Sequence, residues 1–119
     1  MTETSRRRVL VVEDEPIVAM LVEDLLQDFG CQIAACVTTA EEAEELAREM
    51  DIDFALLDVN LGGTMSFGVA DALNARGVPF AFLTGYGVQG VRADLRESII
   101  IHKPVDPDRL KSIVESLAP

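Results

Sequence analysis

The sequence predicts an α/β fold, a parallel sheet with helices on both faces, built as one compact unit. Short apolar runs alternate along the chain with segments of helical periodicity, and few residues separate one from the next. The first run, Val9–Val12, is continuously apolar, which is typical of a strand covered on both faces. Hydrophobic residues make up 49% of the 119 residues, enough for the core of a single domain.

Five apolar runs are expected to form the strands. Each is short and rich in β-branched, aliphatic or aromatic side chains. Pro79 lies near the start of the fourth run, where a missing N–H matters least. The runs are Val9–Val12, Cys31–Val37, Phe54–Leu57, Val78–Leu83 and Ile99–Ile101.

The first helix is expected directly after the first strand. Apolar residues recur at helical spacing over Val18–Phe29. Asp14 is the expected cap at its start, Pro16 suits the first turn, and Gly30 ends the helix.

Later helices carry similar boundary signals. Thr39, with Glu42 three residues later, predicts a capping box at the start of the second helix. Gly77 is expected to close the third helix, and the pair Asp106-Pro107 to open the last one.

The chain carries a large excess of acidic side chains, 21 Asp and Glu against 10 Lys and Arg, for a formal net charge of −11. Phosphate backbones and anionic membranes are bound through Lys and Arg, so this excess argues against nucleic acid and membrane as partners. Residues 1–7 are expected to be an N-terminal lead-in. No signal peptide or membrane-spanning run is visible, which predicts a cytoplasmic protein.

Polar side chains follow the apolar runs at the point where each predicted strand ends. Glu13 and Asp14 follow the first strand, Asp58 the third, Thr84 the fourth, and Lys103 the fifth. Ligands of doubly wound sheets bind outside the carboxyl ends of the strands, so these groups are expected to meet at one edge. Uncompensated carboxylates repel one another, and Mg²⁺ relieves that repulsion while leaving positions for phosphate oxygens.

This set of residues resembles the receiver domain of bacterial two-component response regulators, over essentially the whole chain. The resemblance implies a flavodoxin-like, doubly wound sheet of five parallel strands in the order 2-1-3-4-5, with about five helices. It also implies that residues 8–119 are the receiver domain, and we expect no output domain to be attached.

The resemblance assigns the metal ligands and the phosphoacceptor. Asp58 is implied to take a phosphoryl group from a histidine kinase in a Mg²⁺-dependent reaction. Glu13 and Asp14 would hold the ion directly or through water, with Asp58 and the backbone carbonyl of Asn60 as further ligands. The bond before Pro104 is implied to be cis, since the Lys-Pro bond of receivers commonly is.

The chemistry of phosphoryl transfer independently supports these roles, because it depends on positioning and on neutralising charge. The Asp58 carboxylate can act as the nucleophile, and the Lys103 ammonium can neutralise the oxygens of the incoming group. Thr84 can donate its hydroxyl to a phosphoryl oxygen once one is present.

The switch residues depart from the usual receiver pattern. Ile100 stands where receivers carry Tyr or Phe, three residues before the lysine, so the relay from Thr84 to an aromatic ring is in doubt. The segment Phe82–Tyr86 resembles a receiver subfamily marked by Phe-x-Thr-Gly-Tyr, often paired with histidine kinases of the HWE type. Tyr86 would then signal by ordering the loop over residues 85–90, or else be an ordinary half-buried aromatic.

Two connections beside the site are expected to be irregular. Glycines between residues 85 and 98 weaken the helical pattern by roughly 1 kcal/mol each, so any helix there should be short or mobile. Residues 60–65 replace the usual hydrophobic-Pro pair of receivers and are expected to form a longer, more flexible loop.

The function expected is that of a single-domain response regulator, which is phosphorylated by a histidine kinase or phosphotransfer protein. It would then regulate a partner protein or act in a phosphorelay. No enzyme activity is expected beyond self-phosphorylation and autodephosphorylation. A haloacid-dehalogenase-like phosphatase needs a second Asp where Asn60 stands, and a phosphorylation-independent adaptor would have no need of the intact acids, Thr84 and Lys103.

Overall fold

The computed structural model describes residues 7–85 and 90–116. Strands and helices alternate as the periodicity predicts, with one additional hairpin. The strands are β1 (Arg8–Val12), β2 (Gln32–Val37), β3 (Phe54–Asp58), β4 (Asn60–Leu61), β5 (Thr64–Met65), β6 (Phe80–Thr84) and β7 (Ile99–His102). Within the described residues, the α-helices are α1 (Pro16–Asp28), α2 (Ala40–Glu49), α3 (Phe67–Arg76) and α4 (Pro107–Ser116).

The central sheet has five parallel strands in the order β2-β1-β3-β6-β7. Because β4 and β5 pair only with each other, this order is the predicted 2-1-3-4-5. The doubly wound prediction is therefore confirmed. The carboxyl ends of β1, β3, β6 and β7 lie along one edge of the sheet, as parallel pairing requires.

The core lies in two layers, one on each face of the sheet. Side chains of α2 and α3, such as Ala43 and Leu73, pack on one face, and side chains of α1 and α4, such as Leu26 and Leu110, pack on the other. β3 is buried along its whole length. It contributes side chains to both layers, because successive side chains of a strand point to opposite faces. Asp58, at the end of β3, is thus anchored on a strand that is buried along its whole length.

The start of α1 differs from the prediction by one residue. The N-cap is Glu15, not Asp14, because Glu15 has an extended backbone (φ −91°, ψ 113°) and the helix begins at Pro16. The side chain of Glu15 makes no capping hydrogen bond. Instead its N–H donates to Oε2 of Glu13 at 3.0 Å, so the cap ties the helix to the end of β1.

The other helix boundaries are confirmed, although the predicted capping box of α2 is formed only on its Thr39 side. Thr39 caps α2, with its hydroxyl oxygen accepting from the N–H of Glu42 at 3.3 Å. Gly77 closes α3 in the left-handed conformation with a φ of 73°, which costs a residue without a Cβ little.

Residues 60–65 are more regular than expected. They form the β4–β5 hairpin in place of a loose loop, because Gly62 and Gly63 both have positive φ, 62° and 102°, as tight two-residue hairpin turns require. The Asn60 side chain accepts a hydrogen bond from the N–H of Gly63 at 2.7 Å and closes the turn.

The connection from β6 to β7 contains a short 3₁₀ helix over Ala93–Leu95. This agrees with the expected short helix. Arg92 fastens the segment to α3: its guanidinium donates to both carboxylate oxygens of Asp71, at 2.6 and 3.1 Å, and lies over the ring of Phe67. None of the described helices is long and apolar enough to cross a membrane.

Candidate functional site

A cleft of about 530 Å³ opens at the carboxyl edge of the sheet. The described residues that line it include most of the predicted site residues, namely Asp14, Asp58, Asn60, Thr84 and Lys103. The strand ends therefore converge as expected. Glu13 is completely buried beside the cleft, where it contacts Lys103.

Lys103 lies at the centre of a group of carboxylates. Its Nζ donates to Glu15 Oε1 at 3.0 Å and to Asp58 Oδ2 at 3.2 Å. Glu13 Oε1 is also 3.0 Å from Nζ, as an ion pair without the direction of a hydrogen bond. One ammonium thus contacts three acids, two of them buried, and leaves a surplus of negative charge at this edge.

The acids at this edge have the arrangement of a cation site. Glu13, Asp14, Glu15 and Asp58 each offer a carboxylate oxygen, and these oxygens lie within 4.8 Å of one another. Glu13 Oε1 is buried without a hydrogen bond, so it has capacity for a further partner. Hard oxygen donors of this kind suit Mg²⁺, and the residues present therefore fit the ion that the sequence predicts.

Burial strongly affects the pKa of the Asp58 carboxyl group. Removal from water, together with the neighbouring Glu13 carboxylate, raises the pKa of Asp58 to about 7, although Lys103 acts in the opposite direction. For Lys103, burial alone would lower the pKa, but Glu15, Glu13 and Asp58 together hold it above its ordinary value. The lysine therefore stays charged while the aspartate is easily protonated in the absence of a cation.

The Lys103-Pro104 peptide bond is cis, as the resemblance implies. Thr84 is buried at the end of β6 and faces the same cleft as Asp58. Asn60 lies in the cleft wall with its side chain engaged in the hairpin turn, and the ligand role of its backbone carbonyl remains a prediction.

Of the two other expected switch residues, Ile100 is the one that the structure describes. Ile100 is half-buried, packs on the α2–α3 side of the core and pairs with Phe82 in the sheet. Its side chain belongs to the core and not to the cleft. Tyr86 lies outside the described residues, so its part in a switch remains a prediction.

Glu15 is the site residue that the sequence reasoning missed. A third acid follows Glu13 and Asp14 directly after β1, and this run was the available signal. Its contact with Lys103 joins residues 88 positions apart, which local patterns do not reveal.

Known proteins match the chain along most of its length. The sequence profile of the response regulator receiver domain matches residues 9–115. The phyllosphere-induced regulator PhyR of Methylorubrum extorquens is 29% identical over 110 residues, which are 89% of this chain and 41% of PhyR. The nitrate/nitrite response regulator NarP of Escherichia coli is 34% identical over 79 residues, 66% of this chain and 37% of NarP. The chain thus spans about two fifths of the length of these relatives.

Solved structures show the same fold. SdrG from Sphingomonas melonis Fr1 is 36% identical, with a TM-score of 0.84 and 98% of each chain covered. The receiver domain of PhyR from Erythrobacter litoralis is 27% identical, with a TM-score of 0.83, covering 96% of this chain and 91% of that one. The profile match over residues 9–115 and the arrangement at the sheet edge agree, and the chain belongs to the response regulator receiver domain family.

Proposed function

We propose that this protein is a response regulator whose Asp58 accepts a phosphoryl group from a histidine kinase or a phosphotransfer protein in the cytoplasm. The main support is the position of Lys103, whose ammonium lies 3.2 Å from Asp58 Oδ2 in a cleft that is open to a phosphodonor. Phosphorylation then changes the contacts of the receiver with a downstream protein, directly or as one step of a phosphorelay.

In the transfer step, a carboxylate oxygen of Asp58 attacks the phosphorus of a phosphohistidine. The new O–P bond forms as the P–N bond breaks, and the imidazole nitrogen keeps the electron pair. Lys103 neutralises the oxygens of the group in transit, and the Thr84 hydroxyl donates to one of them after arrival. Glu13, Asp14, Asp58 and the backbone carbonyl of Asn60 would hold Mg²⁺, which supplies charge neutralisation and orientation when bound.

Turnover of free phosphoesters is not part of this proposal. A phosphatase that uses an Asp nucleophile needs a proton donor for the leaving group, and the residue two positions after Asp58 is Asn60. Its side-chain oxygen is engaged by the N–H of Gly63 at 2.7 Å. Self-phosphorylation and autodephosphorylation are the only reactions we assign to the chain.

The first turns of α1 supply a surface for the phosphodonor protein. Ile17, Met20 and Leu21 are exposed by 77%, 59% and 44%, and their spacing places them on one side of the helix. α1 starts next to Glu15 in the cleft wall, and Met65 adds another exposed apolar side chain at that wall. An apolar surface at the mouth of the cleft suits a partner that presents its phosphohistidine on a helix.

The downstream partner is proposed as a class only. A relative from Bartonella quintana, PhyR, is named an anti-anti-sigma factor, and this chain covers 47% of that structure. For the present chain we propose a protein partner whose affinity depends on phosphorylation, with a kinase of the HWE type as one candidate donor. The loop over residues 85–90, with Tyr86, is the proposed moving element.

The deciding experiment is incubation with acetyl phosphate and Mg²⁺, read by intact mass spectrometry. We expect one phosphoryl group on the wild type, none on Asp58→Asn, and wild-type behaviour for Asp24→Asn, an exposed acid on α1. Equal uptake by Asp58→Asn would refute the assignment. Repeated turnover of a generic phosphoester would favour the phosphatase, and partner binding unaffected by phosphorylation would favour the adaptor.

A further inference from the structure

Lys103 has one partner that differs from the other two. Glu13 is completely buried and the side chain of Asp58 is 7% exposed, whereas the side chain of Glu15 is 61% exposed. All three carboxylates lie within 3.2 Å of the same ammonium. Two of the contacts are therefore fixed by the core, and one can open into solvent.

We propose that Glu15 competes with the phosphoryl group for the Lys103 ammonium, and that it thereby slows the phosphorylation of Asp58 and shortens the lifetime of the product. This inference rests on the proposed function, because it concerns the same site. Glu15 would oppose the reaction that Lys103 and Thr84 assist.

The competition follows from the donors of Lys103. The Lys103 ammonium donates to Glu15 Oε1 and Asp58 Oδ2, and Glu13 Oε1 lies 3.0 Å from Nζ as an ion pair, so three carboxylates surround its three N–H groups. When the O–P bond to Asp58 forms, negative charge moves from the carboxylate to the phosphoryl oxygens, farther into the cleft. One donor of Lys103 must follow that charge, and the donor bonded to Glu15 Oε1 at 3.0 Å is the one whose partner is not held in the core.

Glu15 is the partner that can move away from the Lys103 ammonium. Glu13 is held at its other oxygen, which accepts the N–H of Glu15 at 3.0 Å. Within residues 7–85 and 90–116, Lys103 is the one partner of the Glu15 side chain. Since that side chain is exposed, its departure exposes no buried charge. A carboxylate left beside the phosphoryl oxygens would also repel them.

The variant Glu15→Gln tests the inference, because glutamine keeps the size and one acceptor oxygen but removes the charge. Acetyl phosphate with Mg²⁺ serves as the donor: a carboxylate oxygen of Asp58 bonds to phosphorus, and acetate leaves with the electrons of the P–O bond. We expect uptake to be about fivefold faster in Glu15→Gln and the phosphoryl group to persist about fivefold longer, the ratio expected when a charged acceptor is replaced by a neutral one. Glu45→Gln, the same change on α2 away from the cleft, should behave as the wild type.

Salt dependence separates competition from a structural effect. Screening weakens an exposed ion pair, so the ratio of the two rates should fall towards one as KCl rises from about 0.05 M to about 1 M. Glu15→Asp keeps the charge and should lie between the wild type and Glu15→Gln. A ratio that does not change with salt would overturn the inference.

Other outcomes of the same experiments also decide whether Glu15 competes for Lys103. Wild-type phosphorylation with equal or slower uptake by Glu15→Gln overturns this inference alone, whereas no phosphorylation of the wild type overturns the proposed function as well. Calorimetric titration with Mg²⁺ alone tests whether Glu15 is a metal ligand instead. A loss of affinity in Glu15→Gln as large as in Asp14→Asn would make Glu15 a metal ligand, and the inference would be wrong.

Discussion

The backbone N–H of Lys103 donates to the carbonyl oxygen of Thr84, with an N–O distance of 2.9 Å. This hydrogen bond joins the ends of β6 and β7 just where both strands reach the cleft. The ammonium and the hydroxyl proposed to bind one phosphoryl group are therefore carried on backbones that are tied together. A displacement of either strand end is transmitted to the other.

Removal of the lysine should nearly abolish phosphorylation. In Lys103→Ala the oxygens of the group in transit lose their cationic partner, and loss of such a group typically slows a reaction by about 100-fold or more. Uptake from acetyl phosphate, followed by intact mass spectrometry, measures the effect. Lys111→Ala, on the exposed face of α4, should react at the wild-type rate. Undiminished uptake by Lys103→Ala would contradict the role assigned to the ammonium.

The raised pKa of Asp58 predicts a pH-dependent stability in metal-free protein. Because the pKa is about 7 in the fold against an ordinary 3.8, the unfolded chain releases its proton first as pH rises. Stability should therefore fall between about pH 4 and pH 7 and stay level above that range.

Asp58→Asn removes this effect. The variant should be the more stable protein above pH 7, with roughly 4 kcal/mol as the upper limit, and the difference should shrink towards pH 4. Urea unfolding in EDTA at several pH values measures it, with Asp24→Asn as the control. A difference that does not vary with pH would show that Asp58 titrates normally.

Addition of Mg²⁺ should stabilise the wild type. Binding to the folded state alone contributes about 2.7 kcal/mol at a free concentration 100 times the dissociation constant. The gain should be much smaller in Asp14→Asn and in Asp58→Asn, each of which loses one charged oxygen of the cluster. Thermal unfolding with and without EDTA gives the result, and equal gains in all three proteins would place the ion elsewhere.

The apolar surface of α1 should matter for protein donors and not for small ones. Met20→Glu changes a side chain that is 59% exposed, so folding and uptake from acetyl phosphate should be unaffected. Transfer from a phosphorylated histidine kinase or phosphotransfer protein should slow by about tenfold or more, because a charge would be buried on contact. Gln27→Glu, at an exposed position two turns further along the same helix, is the matched control.

The parts of the site that the sequence predicted are those fixed by strand ends. Asp58, Thr84 and Lys103 follow apolar runs, and parallel pairing leaves such residues no other edge to occupy. The cap of α1 was misassigned because Asp is a strong capping residue, while the backbone of Glu15 and not its side chain sets the boundary.

Other features had no detectable period. The β4 and β5 strands are two residues long, so neither alternation nor helical spacing could reveal the hairpin. The contact between Glu15 and Lys103 depends on the fold as a whole. It appears only when the end of β1 and the end of β7 are brought to the same edge.

The complete enclosure of β3 has a consequence for the order in which the molecule opens. We expect the amides of a central strand such as Phe54–Asp58 to exchange with solvent only when the whole domain unfolds, and those of the exposed hairpin tip at Gly62 and Gly63 to exchange through local opening. Under the proposed function, the phosphoryl group would thus be carried by the strand that opens last. Repeated phosphorylation and dephosphorylation would then leave the core in place, and changes in partner contacts would fall to the short segments at the edge of the sheet, such as the β4–β5 hairpin.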